Sequence, residues 1–187
     1  PQNVYLSHFA QVQSTIAYLL QDDAINAPTS EIRERQLEIS RKYRQRSDEI
    51  KAQIAKGGAS EMDLQAEIRD RLDILVQRTE GFGWHEDLIR VHIVFGILED
   101  SLHRVSKGLS PAKRIKIESL MLDRSLDTFC HEELSKAIEA SPEISGRLAM
   151  FGRMVVADAL LEVRDSVNLE LVVPKPLPAD ATELARE

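Results

Sequence analysis

Leu88-Ile89-Arg90-Val91-His92-Ile93-Val94-Phe95-Gly96-Ile97-Leu98 is the most apolar stretch of the chain, and its period decides the fold. Its apolar positions recur at three and four rather than alternating at two, which is the rhythm of a helix and not of a half-buried strand. Followed outward, the helix starts at His85, after the break Gly81-Phe82-Gly83-Trp84, and runs to about Lys107, where Gly108 ends it. A helix apolar around most of its circumference must be covered on several sides, so this one reads as the core helix of a bundle.

The same rhythm fills most of the chain. A first helix is expected from about Val4 to Asp22, with Tyr5, Phe9, Val12, Ile16, Leu19 and Leu20 on one face, stopped before Asn26-Ala27-Pro28. Thr29 or Ser30 caps a second, with Glu31 in its first turn, reaching about Lys56. Gly57-Gly58 breaks that helix, and Ser60 with Asp63 offers a capping-box-like start for a third, to about Glu80. Ser110-Pro111 opens a helix expected to reach Ala140, and Ser141-Pro142-Glu143 opens another ending near Val167. Beyond it, Leu169 to Val173 suits a short extended segment, and Pro174, Pro176 and Pro178 forbid regular helix.

The fold expected is therefore all-α: a bundle of about six helices in one domain over residues 1–168, then an irregular tail or linker at 169–187. Within it, residues 29–80 form a charged helical hairpin. In its first helix Ile32, Ile39, Tyr43, Ile50 and Ile54 make a thin stripe among many charges, too narrow for a helix surrounded by core. The hairpin is expected to project, with a coiled-coil-like two-helix seam.

Composition bounds the function. The 187 residues are 43% hydrophobic and 29% charged, and the net charge of -7 argues against a protein basic all over for nucleic acid. A single cysteine, Cys130, excludes an intrachain disulfide framework and a Cys-based zinc site, and it points to a reducing, cytoplasmic setting. No run approaches the roughly 20 apolar residues of a membrane span. Gly57-Gly58 lacks the Lys-Ser/Thr of a phosphate loop, and Cys130 and His131, as helix neighbours, point about 100° apart, which leaves no nucleophile pair.

At about 100° per residue, His85, His92, Glu99 and His103 fall on one polar line of the core helix. Glu99 and His103, one turn apart, are positioned to share a divalent metal. On the following helix Asp123, Asp127 and His131 recur every four residues. If the two helices pack antiparallel about Gly108, residues whose numbers sum to about 218 lie level, which brings His92 to Asp127 and His85 to His131 or Glu132. His92, Asp127, His131, Glu99 and His103 are thus the candidate metal ligands or acid/base groups. The competing reading is a satisfied interhelical network of His92, Glu99, Arg124 and Asp127.

Helical di-metal carboxylate proteins carry Glu-x-x-His on two helices and a further Glu on two others. This chain has no Glu-x-x-His; Asp100-Ser101-Leu102-His103 comes nearest, and the pattern does not assign the chain to that group. Arg124-Ser125-Leu126-Asp127-Thr128-Phe129-Cys130-His131 loosely resembles the Arg-x4-6-His signature of helical HEPN ribonucleases, a likeness that implies a histidine opening on a dimer cleft.

Arg41-Lys42-Tyr43-Arg44-Gln45-Arg46 is the sharpest local charge feature, within a segment, residues 31–56, holding eight Lys and Arg against five Asp and Glu. It reads as a solvated helix face or a surface for an acidic protein; Arg41, Lys42, Tyr43, Arg44 and Arg46 are equally the candidates for tracking phosphates, with little base specificity. The function expected is a cytosolic helical interaction or regulatory module rather than an enzyme. It would act as a homodimer and through a protein partner, with no cofactor, and not at a membrane. A divalent metal or cofactor site on the core and following helices is the alternative, and nucleic-acid binding through the second helix is a further one.

Overall fold

The computed structural model describes residues 2–54 and 59–171, with side chains described for 2–54 and 65–166, and all regular structure among them is helical. The order is α1 (Gln2–Asp23), α2 (Ser30–Lys51), α3 (Ala59–Arg78), α4 (Trp84–Ile89), a π turn (Arg90–Phe95), α5 (Gly96–Val105), α6 (Pro111–Leu120), α7 (Ser125–Ala140) and α8 (Pro142–Leu171). The core is shared by Phe9 and Ile16 of α1, Val94 and Phe95 of the π turn, Phe129 of α7, and Leu148 and Phe151 of α8. The all-α bundle read from the sequence is the architecture observed. Residues 172–187, most of the expected tail, lie outside the described residues; α8 stays helical through Leu171, where an extended segment was expected from Leu169.

The second helix does not stand off the bundle. It lies antiparallel along α1, where Gln36 Nε2 donates to the Leu20 carbonyl (2.9 Å), Ser40 Oγ to Ala17 (2.6 Å) and Ser47 Oγ to Ala10 (2.8 Å). Serine facing alanine lets the two backbones come close enough for a hydroxyl to reach a main-chain oxygen that still has a free lone pair. The stripe on α2 looks thin in sequence because three of the residues that fill the seam are polar. The seam is real, but its partner is α1 and not α3. α3 also lies on the body, through Gln65 to Ser7 of α1 and an Arg71–Glu162 ion pair (2.7 Å) with α8.

Two breaks escape the periodicity. The helix expected over 110–140 divides at residues 121–124, where Asp123 Oδ1 accepts the Ser125 N–H (2.8 Å), a local bond that competes with helix continuation. The core helix contains the π turn, in a segment rich in β-branched residues, which crowd helical turns. Its start is locked: Arg90 Nη2 bonds Asp23 (3.0 Å) and Asp87 (3.2 Å), and Gly81 N–H donates to Asp87 (3.1 Å). A Cβ on Gly81 would fall 2.6 Å from that of Glu86, so this close approach requires glycine. Beside it Trp84 is buried, donating to Gln36 (2.8 Å), whereas Phe82 is 94% exposed and closes nothing.

Candidate functional site

A π turn fits one more residue into a helix than α geometry allows, so everything after it is rotated by about 100° relative to a straight helix. That rotation dissolves the polar line expected on the core helix. His92, within the turn, faces α7, with Nδ1 3.5 Å from Asp127 Oδ1. Glu99, beyond it, is buried against α1 and α2, accepting from Gln13 Nε2 (2.6 Å) and Tyr43 OH (3.4 Å). His103 is exposed, and half-buried His85 meets the Trp84 ring edge-on (5.1 Å between centroids), its pKa lowered first by burial and then by Arg147.

The turn also opens a cleft of about 770 Å³ between α2, the π turn with α5, and α7. Tyr43, Glu99 and Gly96 line its inner part, Ile93, Ile97 and Met121 form an apolar strip, and Asp100, His131 and Glu132 stand among its exposed lining. Arg46 crosses one end, its guanidinium 4.4 Å from the Tyr43 ring and 3.0 Å from Asp123 Oδ2. Arg124 pairs with Asp127 (2.8 Å), which also meets His92. The satisfied network expected of His92, Glu99, Arg124 and Asp127 does not form as one: Arg124 pairs with Asp127 near the opening, His92 Nδ1 lies beside them without a hydrogen bond, and Glu99 joins Gln13 and Tyr43 within.

Burial pushes the Glu99 carboxyl up to about 7, only partly opposed by its bond from Gln13, the nearby Arg46 charge and its bond from Tyr43. Burial, and next the Glu99 charge, raises the Tyr43 phenol. Burial also pushes the Cys130 thiol up to about 12, so this cysteine is an inert core residue and no nucleophile.

Of the five candidate ligands, only His92 and Asp127 come together. Among the described residues no group of three or more His, Cys, Asp or Glu side chains is placed to hold a metal ion. The basic cluster is divided: Tyr43 and Arg46 turn inward, while Arg41 and Arg44 are exposed, Arg44 bonding Gln21 (2.6 Å), and Lys42 reaches Glu38 (3.6 Å). Arg124 sits at the head of α7 and pairs with Asp127 one turn on, while His131, the histidine of the ribonuclease-like motif, is exposed in the lining of the cleft. Gln13 and Gly96 were not singled out by the sequence. The only signal for Gln13 is a polar residue between Phe9 and Ile16 on an apolar face; for Gly96 it is a glycine inside the most apolar helix.

A second surface stands out on α8. Met150, Met154, Leu160 and Leu161 are 60%, 55%, 55% and 43% exposed, and Met150, Met154, Ala157 and Leu161 follow one another at helical spacing along one stripe. Among the described residues no helix is long and apolar enough to cross a membrane.

The sequence model of a family described as a ferritin-like domain of actinomycetes matches residues 8–170. No curated protein matches the chain. The family match runs from α1 to the last turn of α8, embracing the helices that build the cleft, and the chain belongs to this ferritin-like domain family of actinomycetes.

Proposed function

We propose that this ferritin-like domain is a self-associating helical module that pairs with a second copy of itself through the outer face of α8. The observation that carries the reading is the exposed stripe of Met150, Met154, Ala157 and Leu161. Single exposed apolar side chains are ordinary; a continuous run of them along one helix marks an interaction surface. The stripe is self-complementary. In an antiparallel pair crossing between residues 155 and 156, Met150 lies level with Leu161 of the second copy and Met154 with Ala157. Light scattering on the purified chain across micromolar concentrations tests it: a dimer that Met154→Glu converts to a monomer of unchanged helicity is expected, and a wild-type monomer throughout refutes the reading.

The metal chemistry that a ferritin-like fold brings to mind does not fit these residues. Such proteins use a Glu from each of two helices and Glu-x-x-His from each of the others. Here the buried carboxylate Glu99 has an amide from α1, a phenol from α2 and the fixed Arg46 cation for company. An amide and a phenol at those positions, beside a resident guanidinium, make a hydrogen-bonded core in place of a ligand set.

A further inference from the structure

Gly96 has no structural reason to be glycine. Its backbone is ordinary helix, φ -60° and ψ -43°, so it needs no conformational freedom. A Cβ built on it would meet nothing within 4 Å, so no neighbour requires its smallness. Glycine in a helix interior is unfavourable relative to alanine. What the residue does keep is space, because it lines the cleft immediately after the π turn. π turns occur mostly as single insertions in α-helices, frequently at functional sites.

We propose that this cleft binds a small organic cation, an aliphatic amine of the diamine class. Both arginines in its lining are already held, Arg46 by Asp123 and Arg124 by Asp127. Asp100 on α5 and Glu132 on α7 remain in the lining, the latter bonded from outside by Arg35 (2.8 Å), so the lining carries more negative than positive charge. Ile93, Ile97 and Met121 supply the apolar strip for a hydrocarbon chain, and the volume of about 770 Å³ lies within the range of small-molecule sites. Carboxylates on facing helices with an apolar strip in the same lining select charge at the ends of an alkyl chain. A compact inorganic cation would find no set of three ligands among the described residues.

The probe is 1,5-diaminopentane, titrated calorimetrically at low salt into the full chain, with 1,5-pentanediol as its uncharged counterpart. Saturable binding of the diamine and none of the diol is expected. Gly96→Leu, which projects a bulky side chain into the cleft, weakens binding by at least about tenfold, and Asp100→Asn by about threefold to tenfold. A parallel thermal melt verifies that both variants remain folded. No diamine binding at millimolar concentration, equal binding of the diol, or diamine binding that Gly96→Leu leaves unchanged would each overturn the proposal. The Met154→Glu variant keeps its diamine affinity, so a failure of the cleft and a failure of α8 pairing are read separately.

Discussion

The α1–α2 seam and the cleft at the π turn are made of the same material, polar side chains set into apolar helix faces, yet one is sealed and the other open. In the seam each of Gln36, Ser40 and Ser47 bonds a main-chain carbonyl of the opposite helix. At the cleft the polar groups are long, charged and bonded mainly to one another, and a glycine leaves the inner wall bare. Polarity by itself therefore does not open a bundle. Side-chain length and the local helix phase decide whether a polar position closes a contact or lines a space.

Three substitutions break or sharpen that contrast. The largest effect belongs to Glu99, which sits between the two regions. Its folded-state carboxyl is raised to about 7 from 4.5, so between those values the folded chain holds a proton the unfolded chain has lost, and its contribution to stability falls as pH rises. Denaturant unfolding at pH 5 and pH 8 shows wild type losing stability relative to Glu99→Gln by on the order of 3 kcal/mol, a difference that isolates Glu99 from Asp23 and His8, which titrate in the same window in both proteins. Equal pH slopes in the two proteins would mean that Glu99 is ionised at no cost in the fold.

Ser47→Leu, forced into the closed seam at a residue 1% exposed, costs about 2 kcal/mol in the same unfolding experiment, because the backbones must move apart. The opposite sign is expected at the cleft. Gly96→Ala adds a methyl group that meets no neighbour and raises helix propensity, so it stabilises by about 1 kcal/mol. If both variants were destabilised alike, the distinction between sealed and open regions would fail.

Much of the fold is legible in the chain. Thr29 caps α2 as expected, its hydroxyl accepting from Ile32 N–H (3.2 Å), and Pro111 and Pro142 open the helices they announce. The antiparallel arithmetic about Gly108 correctly places His92 beside Asp127. The same arithmetic sets Glu99 and His103 a few turns away, and neither joins that pair: Glu99 is buried against α1 and α2, and His103 is exposed.

The sequence by itself determined which segments are helical, where most of them start and stop, and that they pack as a bundle, because caps, prolines and the 3.6-residue period act between neighbours along the chain. Tertiary structure alone decided that α2 seals against α1, since Gln36, Ser40 and Ser47 become core residues only opposite the carbonyls of a helix distant in sequence. It also decided the phase of the core helix. One extra residue in the π turn leaves composition and period nearly unchanged, yet it turns Glu99 into the core and opens a cleft over Gly96.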